Sequence, residues 1–434
     1  MTDLNEELRR LADEAAREAR PLAVADVIRQ GDRRQRRAIT RRYLGRAPGP
    51  VTGARPGRRW RRWVAPLAAA GAVVAVVAGT AAVSGAIRGS RTTAGAGLAH
   101  GTTAYVVNSA KDTVIPIRTA TNAPGKPIKV GTQPMAIAIT PDGKTAYVAN
   151  EVPGSVTPIR TATNTALPPI KTGSTPVAIA ITPDGKTAYV IGGGDSGTVT
   201  PIRTATNTAL PRIKVGRLPM AIAITPDGKT AYVANSNSTM VTPIRTATNT
   251  ALPPIKTGHG PAAIAITPDG KTAYVANGAS GTVTPIRTAT NTALPPIKTG
   301  GDPLAIAITP DGRTAYVVNQ DSDTVTPIRT ATNTALPPIK TGRLPQAIAI
   351  SPDGKTAYVG NNTAGTVTPI RIATNTALPP IKTGGNPFEI AITPNGKTAY
   401  VALVTAGVIP IRTATNTALP GLKIGYSSAI AITP

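Results

Sequence analysis

The chain has no cysteine, one phenylalanine and two histidines in 434 residues, and aromatic residues make up only 3% of it. Without cysteine there is no disulfide, so the redox state of the compartment does not decide the fold. With so few aromatics, the core has to be built from Ile, Val, Ala and a recurring Tyr. Acidic residues are scarce as well: 21 Asp and Glu stand against 47 Lys and Arg, a net charge of +26. The histidines, His100 and His259, assemble no Ser-His-Asp set with a sensible spacing. Zinc spacings, phosphate-cradling glycine loops and dinucleotide fingerprints are missing. Asp321 and Asp323 form an Asp-Ser-Asp loop, short of the roughly six-oxygen cage of a calcium site. The sequence therefore points to no catalytic residue, no cofactor and no metal, and predicts a protein that is not an enzyme.

What is present is a repeat. Tyr105, Tyr147, Tyr189, Tyr232, Tyr274, Tyr316, Tyr358 and Tyr400 follow one another at steps of 42 residues, with a single step of 43. A period in the low forties is that of a four-stranded propeller blade. The first full unit divides into four strand-like pieces: 136–140 (A), 145–150 (B), 156–160 (C) and 169–172 (D). Pieces A and B alternate as half-buried strands do. The A–B turn reads Thr-Pro-Asp-Gly-Lys: Pro presets φ, Asp bonds its own backbone and Gly accepts positive φ.

The count separates a ring from a stack. There are eight B pieces and eight A pieces, but the chain starts its repeats with a B lacking an A and finishes with an A, 429–433, lacking a B. An open solenoid needs capped ends. In a ring the last A pairs with 103–108 and completes a split blade. The expected fold is all-β: an eight-bladed β-propeller of four-stranded, roughly 42-residue blades, spanning 103–434 and monomeric.

The run PDGKTAYVAN…TVTPIRTATNTALPPIKTG, recurring in register from Gly101 to Pro434, resembles the YVTN (YncE-like) β-propeller repeat family. Members of that family carry Val-Ile-Asp where this chain has Pro-Ile-Arg, for example Pro158, Ile159 and Arg160. The change reverses the charge and places a proline in strand C, which predicts a short, weakly paired strand D outside it. Family members are often seven-bladed; the count here is eight. The resemblance implies a secreted or envelope-bound protein of poorly known function.

Four segments precede the repeats. Residues 1–31 carry Leu4, Leu8, Leu11 and Ala15 on one helical face, an amphipathic cytosolic segment. Residues 32–62 hold twelve Arg and one acid, the pattern of a disordered juxtamembrane run. Nucleic acid is disfavoured as a partner, since with Tyr43 alone inside the run and Trp60 and Trp63 at its end it lacks an interleaved aromatic platform. Residues 63–87 lack any charge and would make a helix about 37 Å long, enough to span a hydrocarbon core of ~30 Å. Six arginines lie within twenty residues before this span and two, Arg88 and Arg91, within twenty after it. The excess of cations on the N-terminal side predicts a single-pass cell-membrane protein with its N-terminus inside and its propeller extracytoplasmic. Residues 88–102, rich in Gly, Ala and Thr, read as a flexible tether.

Alternating strands put the A–B and C–D turns on one rim and the B–C and D–A links on the other. The first rim is nearly identical in every blade. Its cations include Lys186, Lys229 and Lys271 of the A–B turns and Arg160, Arg203, Arg245, Arg287, Arg329 and Arg371 of strand C. The propeller carries 28 basic and 13 acidic residues, a net +15, and this rim is a candidate for an anionic envelope polymer or lipid surface. The second rim holds most of the variation: Glu151, Arg217, His259, Asp302, Asp321, Asp323, Arg343 and Asn386. A specific site needs unlike residues around it, so the ligand or protein partner is expected there. The leading expectation is a membrane-tethered binding or scaffold module. The alternatives are a propeller lactonase or hydrolase, and a transmembrane sensor with a cytosolic docking helix. The anchor is open to a direct check: carbonate extraction leaves the full chain in the membrane pellet, whereas release of a propeller shorn of its N-terminus refutes the span.

Overall fold

In the computed structural model the described residues are 101–434 apart from 174, 195 and 196. The expectations for the head, the arginine-rich run, the 63–87 span and most of the tether fall outside them. Among the described residues no helix is long and apolar enough to cross a membrane.

Eight antiparallel sheets follow one another, each ordered A-B-C-D. In blade 2 the strands are Thr132–Ile139 (A), Thr145–Val152 (B) and Ser155–Arg160 (C). Strand D is split into two pairs of residues, Thr165–Ala166 and Ile170–Lys171, both hydrogen-bonded to C. Its start thus lies four residues earlier than the sequence pattern suggests. The reason is local. In an antiparallel ladder a residue's N and C=O point the same way. The Pro158 carbonyl faces outward and accepts the Leu167 N–H at 2.8 Å, so its missing donor also faces outward. Opposite it, Pro168 and Pro169 interrupt strand D. The B–C ladder therefore keeps all its bonds, and the outer edge of each blade is broken by proline.

The A–B turn forms as its residues dictate. Thr140 Oγ1 donates to Asp142 Oδ1 at 2.6 Å, the Lys144 N–H donates to the same oxygen at 3.1 Å, and Gly143 takes φ +71°. The C–D turn rests on it, with Thr161 Oγ1 bonded to the Gly143 carbonyl at 2.6 Å. The opposite rim is tied in the same way: the Gln320 N–H donates to the Asp302 carbonyl at 2.9 Å, joining a B–C link to the D–A link entering its blade. The two-rim arrangement read from strand alternation is therefore present.

The ring closes as counted. Ala429–Ile432 pairs antiparallel with Thr103–Asn108, with Tyr105 opposite Ala431. Thr103 N–H donates to Thr433 Oγ1 at 2.9 Å. The chain consequently enters the ring on the A–B rim, the uniform one.

Between blades, Ile and Val side chains meet Ala of the neighbour, and the eight Tyr are at most 1% exposed, the large–small matching of a close-packed interior. Each Tyr also makes one directional bond. Tyr147 Oη donates to Asn207 Oδ1 of the next blade at 2.7 Å, and Tyr189 to Asn249 at 2.6 Å. The same bond occurs at all eight junctions, ending with Tyr400 on Asn122 of blade 1. The acceptor Asn is the fourth residue of the C–D link, Thr-Ala-Thr-Asn-Thr in six of the eight blades, and sits at φ +52° to +55°, a left-handed conformation that Asn tolerates. Burial pushes the Tyr147 hydroxyl up to about 12, so it stays a donor. A double-mutant cycle measures this bond. Tyr147→Phe and Asn207→Gly, the latter keeping positive φ accessible, should couple by about 1 kcal/mol in urea melts. Tyr147→Ala should cost about 3 kcal/mol or more; coupling near zero would refute the bond.

Candidate functional site

Two kinds of variation converge where strand A begins. Seven of the eight A strands carry a β-bulge, with the register shifting between Pro134 and Ala136 in blade 2 and at the equivalent place in the next six blades. The bulged residue is Met135, Val177, Met220, Ala262, Leu304, Gln346 or Phe388, and Ser428 holds the corresponding place before the closing strand. No two adjacent blades share a residue there, although the Ile-Ala-Ile that follows at 137–139 recurs in every blade. Strand A is the innermost strand, and a bulge re-aims one side chain out of the ladder. The sequence reading missed this ring. Its variability was visible, but the register shift that sets it apart depends on pairing with strand B.

The rim residues expected to bind lie around this ring in separate links. Glu151, expected on the B–C link of blade 2, is half-buried near the end of strand B, which runs on to Val152. Arg217, His259, Arg343 and Asn386 are exposed on D–A links of four different blades. The His259 backbone N–H donates to the Ser280 hydroxyl. Asp323 takes φ +55° and accepts the Leu344 N–H at 2.8 Å, so it ties the next link in place.

The structure does bring Asp302 and Asp321 together. The Asp321 N–H donates to the Gly301 carbonyl at 3.1 Å, which draws the two links of blade 6 against each other. Asp302 stands at φ +55°, and its Oδ1 is buried without a protein partner. Burial, and then the neighbouring Asp321 charge, push its carboxyl up to about 7. A carboxyl poised near neutrality on a rim of a rigid scaffold is the kind of group that serves as an acid or base. Among the described residues no three His, Cys, Asp or Glu come close enough to hold a metal ion.

A second unusual carboxyl lies at the ring closure. Glu389 stands where the other A strands have Ala. It is 1% exposed, its Oε2 accepts the Ile430 N–H of the closing strand at 3.1 Å, and its Oε1 has no partner. Glu389 thus lies inside the blade 8–blade 1 junction and away from solvent. Burial drives its pKa well above the ordinary carboxylate range, with the Ile430 N–H opposing.

On the uniform rim the turn cations are exposed beside their own aspartates. Lys186 and Asp184, Lys229 and Asp227, and Lys271 and Asp269 approach to 3.6–3.7 Å. The Thr182 hydroxyl, then the Lys186 N–H and ammonium, outweigh burial and hold Asp184 below its usual range. Arg160, Arg203, Arg245, Arg287, Arg329 and Arg371 are exposed at the ends of their strands.

Three comparisons bear on the chain. Residues 245–341 match the family model described as "Lactonase, 7-bladed beta-propeller". No curated protein matches. Among solved structures, the chain is similar to Kuenenia stuttgartiensis hydrazine synthase, at 26% identity and TM-score 0.55, over 65% of this chain and 96% of that one. It is also similar to the dihydro-heme d1 dehydrogenase NirN in complex with DHE, at 14% identity and TM-score 0.66, over 76% of this chain and 74% of that one. A functionally unknown protein from Desulfotomaculum acetoxidans aligns at 20% identity and TM-score 0.54, covering 64% and 94%. These matches establish a β-propeller, here with eight blades. They overturn the expectation that the chain is not an enzyme, because the propellers it resembles include ones with enzyme names. That expectation rested on spacing along the sequence. A propeller assembles a site from links of different strands, as with Asp302 and Asp321, and spacing does not report it.

The Glu389 shift fixes a sign. A carboxyl raised in the folded state adds stability below its unfolded value, about 4.3, and loses it as pH rises through the folded value. Glu389→Gln keeps the acceptor for Ile430. It should melt higher than the parent at about pH 8, with the gap closing below about pH 4; parallel melting curves would contradict the shift.

Proposed function

We propose that this protein is an envelope propeller of the YVTN-like kind, tethered by residues 63–87, that takes its ligand on the variable rim. The observation that carries the reading is the ring of bulged residues from Met135 to Ser428, unlike from blade to blade on an otherwise repeated strand. The closure supports the orientation. The chain enters at Thr103 on the uniform rim, so the variable rim faces away from the side on which the tether arrives. Met135, Val177 and Gln346 are the partly exposed members of the ring, two apolar side chains and one amide, which suits a ligand or partner protein with an apolar face and a few polar groups. A screen of glycans, lipids and proteins against the full-length chain tests this. Met135→Ala with Gln346→Ala, two ring positions that are only partly buried, should abolish the hit while leaving the melting temperature within a few degrees.

The match over 245–341 favours a second reading, hydrolysis of a lactone on the same rim. His259, Asp302, Asp321 and Asp323 all fall inside the matched stretch. In this reading Asp302, once deprotonated, accepts a proton from the attacking water, and Asp321 holds its basicity near neutrality. Turnover of a lactone panel by the full-length chain should rise with pH through about 7. Asp302→Asn should lower kcat by at least about 100-fold, as loss of a general base does. A variant as active as the parent would remove Asp302 from the reaction.

A further inference from the structure

The strand register places a repeated group of side chains on the uniform rim. At the foot of each blade, the first Thr of strand B lies opposite the last Arg of strand C. In blades 2 to 8 that Arg lies opposite the first Thr of strand D. In blade 2 the row is Thr145, Arg160 and Thr165; in blade 3 it is Thr187, Arg203 and Thr208. Blade 1 has Ala123 in the third place. Register partners in a sheet share a face. Alternation puts Thr145 on the same face as Tyr147, and Tyr147 reaches the Thr204–Asn207 turn of blade 3. Each row therefore opens onto the groove between two blades.

The electrostatic state of these groups is uneven. The turn aspartates are spent: Asp142 takes the Thr140 hydroxyl and the Lys144 N–H, and lies 3.6 Å from the Lys144 ammonium. The strand-C arginines are exposed, and no ion pair joins them to a carboxylate among the described residues. Among the described residues Thr145 bonds through its backbone and not through its hydroxyl, while the exposed Thr165 hydroxyl donates to the Thr163 carbonyl at 3.3 Å. The result is a guanidinium fork in every blade, in seven of eight flanked by hydroxyls from both neighbouring strands.

We infer that the uniform rim is a binding surface for a linear polymer of phosphate groups, one phosphate engaging each interblade groove. The fork gives two parallel N–H donors. The hydroxyls stand on neighbouring strands about 4.8 Å to either side of it. A tetrahedral oxyanion has oxygens for both directions; a planar carboxylate spends its two oxygens on the fork. The rim offers bases no aromatic ring to stack on, because its tyrosines are buried, so the contact is argued from the phosphate chain. The surface is on the opposite rim from the ligand site proposed above and is independent of it.

Residue-resolved protection tests this in the full-length chain, where the arginine-rich head would confuse a bulk affinity. The chain is treated with phenylglyoxal, and modification of each arginine is read by mass spectrometry with and without long-chain inorganic polyphosphate. Arg160, Arg203, Arg245 and Arg287 should be slowed at least about fivefold, and Arg217 and Arg343 on the other rim should not. Polyglutamate of equal charge should protect the strand-C arginines by less than about twofold. Thr145→Val, Thr187→Val, Thr230→Val and Thr272→Val together, which keep every charge, should bring the polyphosphate effect down to the polyglutamate level. Protection spread evenly over both rims, or equal protection by the two polymers, overturns the inference. Single-stranded DNA protecting the same arginines no better than polyphosphate supports it; markedly stronger protection by DNA would mean that bases are read and overturns it.

Discussion

The bond from each Tyr hydroxyl to the left-handed Asn of the next blade is the constraint on which the rest of the molecule depends. Apolar burial between blades is strong but has no direction. It would accept a range of rotations between neighbouring sheets, and so a range of ring sizes. The Tyr–Asn bond adds a direction. Its acceptor is fixed by a backbone at φ +52° to +55° and its donor by a side chain that is fully packed. Repeated around the molecule, it returns to its start when Tyr400 meets Asn122. The closing strand and this last bond then hold the same junction from two sides, one through backbone pairing and one through side chains.

That arrangement uses up the sequence of the A–B and C–D turns. Thr161 braces Gly143, and Asn164 receives Tyr105, so a change in either turn is felt by a neighbouring blade. The bonds that the D–A and B–C links make across junctions, such as Asp323 to the Leu344 N–H and Asn362 to the Pro387 carbonyl, change from blade to blade, so these links are free to differ. Division of labour between the rims follows from where the junctions are pinned. The exception is the place where the ring closes: Glu389 replaces Ala, and Ser427 and Ser428 stand in the Pro-plus-bulge position. Symmetry is broken where a strand arrives from the far end of the chain.

Much of this was legible in the sequence, and the limits have physical causes. The turns were legible because Pro, Asp and Gly act within four residues of one another. The blade count was legible because an unmatched strand at each end is a fact of order, not of contact. The Asn partners of the tyrosines were hidden: Tyr105 and Asn164 are 59 residues apart, and Thr-Ala-Thr-Asn-Thr looks like any polar loop. The bulge was hidden because it exists only in the pairing of two strands. Asp302 was named for being unusual, but its neutral-range carboxyl needed Asp321 beside it and a buried oxygen. The expectation of a non-enzyme failed for the same reason, because spacing along the chain does not report which links meet.

The hydrogen bond from Thr103 to Thr433 has a topological consequence. Because the polypeptide meets itself there, a peptide linker could join the two ends and a new opening could be cut in any B–C link. The chain would then arrive on the opposite side of the disc. The same eight sheets would then present their irregular rim, in place of their cationic one, on the side where the preceding residues join.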